Sequence, residues 1–209
     1  SGYMSMNGQP ESIPTKMPVA IIDIMAAHQL KEGILVALIK KIKTGKGSYV
    51  SASLYESAIS SLANQATNWL MAGDIPKQSG SLHPNIAPYG EIFTTRDNYQ
   101  FVLAVGTEYQ FKSRCEILKL EELIDDFNFS TNQKLIVNRK KLQLLLQEKV
   151  KLMDLSPLLT NFENKGVPAG IIKNIAQVFE DNPAKNLILE ETVCGTKTKR
   201  VASVCFRIS

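Results

Sequence analysis

Four apolar residues, Val19 to Ile22, run without interruption and stop at Asp23. This is the pattern of a short strand buried on both faces that hands over to a helix capped by an aspartate. Over residues 24–43, Leu30, Ile34, Leu35, Leu38 and Ile42 recur at helical spacing, Lys40, Lys41 and Lys43 fill the last turn, and Gly45 follows. Cations near a C-terminus and a glycine just beyond it are stop signals, so a helix is predicted there. Residues 48–54 alternate weakly and predict a second strand, and residues 55–70 carry a second amphipathic helix closing near Gly73. Strand, helix, strand, helix argues for a parallel α/β sheet. Two strands make too small a sheet to be covered on both faces, so further strands are expected ahead of Ser1 in a parent chain.

The remaining pattern differs in kind. Residues 1–18 are loop, punctuated by Pro10, Pro14 and Pro18, and residues 74–90 form a connector rich in Pro and Gly. Residues 91–95 and 99–105, on either side of Arg96-Asp97-Asn98, predict a β-hairpin, and helices are predicted over 110–118, 132–151 and 157–164. Gly166-Val167-Pro168-Ala169-Gly170 reads as a tight loop before a last helix through Phe179, and the tail holds two strand-like stretches, 186–193 and 200–207, joined by a Gly-Thr-Lys turn. The expected organisation is the second part of a large α/β domain over 1–73, a linker over 74–90, a small α+β domain over 91–180 and a returning linker and strand segment over 181–209.

Composition narrows the function classes. The apolar fraction of 44% over 209 residues suits a soluble globular chain with one good core or two modest ones. No apolar run approaches the roughly 20 residues that span a bilayer, and no secretory pattern opens the chain, so the cytoplasm is the expected compartment. Cys115, Cys194 and Cys205 show no CxxC spacing, and His28 and His83 stand alone, so neither a disulfide framework nor a metal site is expected. A net charge of +4 suits an anionic coenzyme and falls short of the concentrated basic face of a nucleic-acid binder.

Several residues could carry chemistry. Asp23 stands where a strand meets a helix, the place at which open α/β sheets bind ligands, and it serves equally as a helix N-cap. Thr44-Gly45-Lys46-Gly47 offers amides and a cation to a phosphate, but lacks P-loop spacing and reads as a helix C-cap with a turn. His28 reads as structural and His83 as a turn or site-lining residue. Glu108, after Gly106 and Thr107, could enter a cleft or cap the following helix. No GxSxG elbow supports serine hydrolase chemistry.

In order along the chain, Ser-Gly-Tyr-Met-Ser-Met-Asn-Gly from Ser1, Pro14-Thr15-Lys16, the run into Asp23, residues 33–38, Lys43 to Gly47, Ala63-Asn64-Gln65, and His83 to Tyr89 resemble signatures of the family III CoA-transferases. So do Ala104-Val105-Gly106 with Gln110-Phe111, Thr131-Asn132 with Asn138-Arg139, and Gly166 to Gly170. The resemblance implies a Rossmann-like large domain and an interlocked homodimer. It also implies transfer of CoA between an acyl-CoA thioester and a carboxylic acid, with coenzyme A entering as part of the substrate and no tightly bound cofactor. The family's nucleophilic aspartate is matched by Asp23, which can attack a thioester without a general base because an aspartate is ionised at neutral pH. The segment holding His83 and Tyr89 resembles the transferase branch, particularly its dicarboxylate members. With Glu108, those two complete the candidate pocket residues.

Two other readings stand beside this one. The racemase branch keeps an aspartate here and pairs it with an upstream histidine, and Gly106-Thr107-Glu108 resembles a feature of that branch. A non-catalytic interaction domain is the third reading. The family's chain opens with a CoA-binding segment that precedes Ser1, so these residues alone are expected to be inactive and to expose apolar surface.

Overall fold

A computed structural model describes residues 2–206 and Ile208. Ser1, where the first resembling string starts, and Arg207, in the second predicted tail strand, lie outside the described residues. The chain divides into two compact units, Ser1–Ile86 and Ala87–Ser209.

The first unit is helical: α1 (Tyr3–Met6), α2 (Ile21–Thr44), α3 (Leu54–Ser60) and α4 (Ala63–Ala72). The strand expected at Val19–Ile22 does not form. Ile21 and Ile22 are the first residues of α2, Ala20 takes the N-cap position, and Asp23 is the third helical residue. The second expected strand is an extended segment with no paired neighbour over residues 46–53. An isolated run of β-formers has no ladder to join, and helix propagation from α2 claims the isoleucines instead. The C-terminal signals of α2 hold: Gly45 sits in the left-handed region at φ 73° and donates to the Lys41 carbonyl at 2.8 Å. The helix expected over 55–70 is broken, because the Ser60 and Ser61 hydroxyls donate to the Ser57 carbonyl at 3.1 and 2.6 Å and Ala63 turns to φ 48°.

Small residues bring α2 and α3 together. Ala26, Ser57 and Ala58 are the buried residues of the pair, and Gln29 exchanges hydrogen bonds with Ser57 and Ser60 at 3.1 and 2.8 Å. A Cβ at Gly33 would stand 2.7 Å from a methyl of Val50, so glycine is what lets the extended segment pass. The other apolar residues of α2, from Ile24 to Ile42, remain exposed.

The second unit contains β1 (Tyr89–Thr94), β2 (Gln100–Ala104), α5 (Glu108–Leu118), α6 (Asn132–Val137), α7 (Arg139–Val150), α8 (Leu155–Asn164), β3 (Ala169–Ile171), α9 (Ile175–Val178), α10 (Asn182–Lys185), β4 (Ile188–Val193) and β5 (Thr196–Val201). The mixed helix-and-sheet class is the one expected, but every strand pair among the described residues is antiparallel. The hairpin β1–β2 forms, with Asn98 at φ 65° in its turn. Part of the expected glycine-rich loop is strand β3, which extends the sheet in the order β1-β2-β3. Asn138 divides the helix expected over 132–151, since its side chain donates to the carbonyls of Asn128 and Lys134 at 3.0 Å each. The tail turn lies at Cys194-Gly195, at φ 49° and 80°, rather than at Gly-Thr-Lys. Two successive positive φ values characterise a two-residue type I′ hairpin, which places Thr196 and Lys197 in β5.

The apolar core lies in this unit. Phe93 of β1, Phe101 and Leu103 of β2 and Phe162 of α8 are wholly buried, and rings meet at 5.8 Å (Phe93 to Phe101) and 6.1 Å (Phe101 to Phe162). Leu118, Leu142, Leu146 and Leu158 close the core from the helices. The hairpin turn also caps α8: Asp97 accepts from the Leu155 N–H at 3.2 Å, and Arg96 pairs with Asp154. The outer edge of β1 is covered by Gln147 of α7, which accepts from the Thr94 N–H at 2.9 Å and donates to the Thr94 carbonyl at 2.8 Å.

Candidate active site

Asp23 projects from the first turn of α2 into a cleft of about 410 Å³ in the first unit. One wall is α1 with Asn7, and the other is the segment from Thr15 to Asp23. The lining is mostly apolar, with Met4, Met6, Met17 and Val19, and its charged groups are Lys16 and Asp23. α2 has no side-chain cap. The leading N–H groups of an α-helix have no intrahelical acceptor, so this end offers donors and a partial positive charge to an oxygen that develops negative charge beside Asp23. Asp23 is exposed, and therefore accessible to a reagent entering the cleft.

The walls are pinned from outside. The Tyr3 hydroxyl donates to the Ser61 carbonyl at 2.9 Å, anchoring α1 beside the α3–α4 break. Asn7 Nδ2 donates to the Thr15 carbonyl at 2.9 Å and ties one wall to the other. Residues 8–14 loop out between these points and are held by the connector: Gln78 Nε2 donates to the Asn7 carbonyl, and Gly80 donates from its backbone to the Gly8 carbonyl, both at 2.9 Å.

The other candidates are placed as follows. His83 accepts at Nδ1 from the Asn85 N–H at 3.1 Å, a turn contact, and is not among the residues lining the Asp23 cleft. His28 lies exposed on α2 with Nδ1 3.1 Å from Lys31 Nζ. Tyr89 opens β1, opposite Ala104. Glu108 is the first residue of α5, exposed and paired with Lys112 at 2.8 Å, which holds its carboxyl below the usual range. The helix N-cap beside it is Thr107, in a capping box with Gln110. Thr44 to Gly47 form the turn after α2, with Thr44 Oγ1 donating to the Lys40 carbonyl at 2.8 Å, as a C-cap would. Among the described residues no cluster of His, Cys, Asp and Glu could hold a metal, and no helix is long and apolar enough to cross a membrane.

Two features were not legible in the sequence. Gln78 is one polar residue in a polar connector, and nothing in its neighbours marks it. Inside the second unit, Glu91 and Arg114 are both buried, and Arg139 Nε stands 2.8 Å from Glu91 Oε1. Burial pushes the Glu91 carboxyl up despite Arg139 and Arg114, and burial lowers Arg114. Arg114 also lies 4.4 Å from the Phe111 ring centre and 3.5 Å from Cys115 Sγ. Helical period placed Arg114 among apolar neighbours on α5, a signal that a charge was facing inward.

The profile of CoA-transferase family III matches residues 1–208, and the chain belongs to that family. The succinate–glutarate CoA-transferase of Agrobacterium fabrum is 34% identical over 181 residues, covering 87% of this chain and 45% of that protein. The human succinyl-CoA:glutarate CoA-transferase is 36% identical, covering 87% of this chain and 41% of that protein. The crystal structure of a CAIB/BAIF family protein from Brucella suis, 36% identical, superposes with a TM-score of 0.71 over 98% of this chain and 53% of its own. The chain thus spans less than half the length of these two transferases.

Proposed function

We propose that the parent protein transfers CoA from an acyl-CoA thioester to a carboxylate, through covalent intermediates on Asp23. The observation carrying the proposal is the placement of Asp23: an exposed carboxylate in the uncapped first turn of α2, inside a mostly apolar cleft. The carboxylate attacks the thioester carbonyl and expels CoA thiolate, giving a mixed anhydride. The thiolate then attacks the aspartyl carbonyl, the donor carboxylate departs, and an aspartyl-CoA thioester remains. The acceptor carboxylate attacks this thioester and expels the thiolate, which attacks the acceptor acyl carbon and frees Asp23. Each step exchanges one acyl–oxygen or acyl–sulfur bond for another, so no proton or redox partner is needed. The N–H groups at the start of α2 are the donors closest in sequence to each oxyanion.

Relatives acting on succinate and glutarate favour short dicarboxylates as the exchanging acids. Lys16, a cation lining the same cleft, suits the far carboxylate of such an acid.

The test uses the full-length parent protein, incubated with succinyl-CoA and reduced with borohydride. Hydride reduces an aspartyl-CoA thioester at residue 23 to the homoserine alcohol and releases CoA thiol, which mass spectrometry of the peptide detects. The product is expected in the natural protein and absent from Asp23→Ala. Active enzyme in the Asp23→Ala variant overturns the proposal, and epimerisation of a 2-methylacyl-CoA without reduction of Asp23 replaces it with a racemase.

A further inference from the structure

We infer that Gln78 is a positioning residue that sets the walls of the Asp23 cleft, acting through the loop of residues 8–14. The inference rests on the reading of Asp23 as the reacting group. Gln78 lies outside the cleft lining, in the connector that follows α4, yet its side-chain amide ends inside the loop that joins the two walls. Nε2 donates to the Asn7 carbonyl at 2.9 Å, and it lies 3.2 Å from both the Ser12 hydroxyl and the Ile13 carbonyl. Two carbonyls and a hydroxyl around one atom require a donor there, which fixes the orientation of the amide.

The loop is shaped to admit that amide. Gly8 sits at φ 125°, and a Cβ on it would stand 2.8 Å from Gln78 Nε2 and 2.6 Å from Ser12 Oγ. The Gly80 N–H reaches the Gly8 carbonyl at 2.9 Å, a second tie between the same segments. On the cleft side, Asn7 and Thr15 are joined side chain to backbone at 2.9 Å, and both line the cavity with Asp23. Gln78 therefore grips the loop at its first residue, Asn7, and again near its far end, at Ser12 and Ile13. Releasing it lets α1 and residues 15–17 move apart, which alters the fit of the substrate while leaving Asp23 in place on α2. Such a residue acts on binding and only weakly on the covalent steps.

The experiment compares Gln78→Glu, Gln78→Lys and Gly8→Ala in the full-length protein, with Asp23→Ala as reference. Gln78→Glu keeps the shape but presents oxygens to oxygens. Gln78→Lys restores a donor at similar reach, and Gly8→Ala displaces the amide from the loop side. Losing one to two hydrogen bonds predicts a rise in KM of the order of tenfold for Gln78→Glu and Gly8→Ala, with kcat within about threefold of the natural value. Gln78→Lys is expected to recover most of the difference. Borohydride trapping at saturating substrate should still label Asp23 in all three, and amide hydrogen exchange in residues 8–14 should accelerate in the first two. Unchanged KM and exchange in both Gln78→Glu and Gly8→Ala overturn the inference, as does a fall in kcat with KM untouched. An active Asp23→Ala enzyme sinks the reading of Asp23 instead, and the exchange measurement then still decides whether Gln78 holds the loop.

Discussion

Replacing Arg139 with methionine removes the cation nearest Glu91 and keeps a long side chain in its place. Glu91 is 1% exposed, its Oε2 has no hydrogen-bond partner among the described residues, and after the change its compensation is the charge of Arg114. Breaking a buried ion pair by deleting one member costs about 3–5 kcal/mol when the survivor stays charged. Glu91 can escape part of that by binding a proton. Its carboxyl is already raised by burial, and losing Arg139, which lowers it, raises it further. A group raised in the folded state contributes its full stability below its unfolded value, about 4.3 for glutamate, and loses that contribution as pH rises through the folded value. The variant should therefore be only mildly destabilised near pH 4.5 to 5, and its stability should fall relative to the natural protein at up to about 1.4 kcal/mol per pH unit above that. The fall flattens beyond the raised carboxyl value. Urea unfolding followed by far-UV circular dichroism at a series of pH values measures this. Adding Glu91→Gln to Arg139→Met should remove the pH dependence. A variant with natural stability at every pH, or one whose loss is as large in acid as in alkali, would refute the reasoning.

Two other predictions concern apolar surface. Phe162→Ala empties the centre of the ring chain with Phe101 and Phe93 and should destabilise the second unit by about 3–5 kcal/mol, read as a lower urea midpoint. The 209-residue chain studied alone presents Ile34, Leu35, Val36, Leu38, Ile39 and Ile42 of α2 to solvent. It should bind the dye ANS and scatter light as its concentration rises, whereas a monomeric chain without dye binding would mean that this face is covered from within.

What could be read from sequence depended on how locally each element is determined. The helix of residues 24–43 was legible because its period, its terminal lysines and Gly45 all agree, and the hairpin β1–β2 because Asp97 and Asn98 demand a turn between two β-forming runs. The strands expected beside Asp23 were not, since a strand depends on a neighbour that the string itself does not contain. β5 was displaced for another reason. Its Thr-Lys-Thr-Lys-Arg run shows no apolar alternation, and it pairs with β4 through charges, with Glu190 to Lys199 at 2.6 Å and Glu191 to Arg200 at 2.8 Å. The importance of position 23 was legible only through resemblance, and the cleft around it is assembled by Gln78 and Tyr3 across more than fifty residues of chain.

Trp69, the chain's single tryptophan, sits half exposed on α4, in the same unit as Asp23, while the cluster of phenylalanines and leucines that forms the core belongs to the other. The molecule thus carries its one fluorescent reporter apart from its main reservoir of cohesion. Indole emission will follow the loosening of the helices around the reactive carboxylate, and the ellipticity of the second unit will follow the melting of its packed rings. A gap between the two curves would measure how far the chemical part of this chain can soften while the structural part holds.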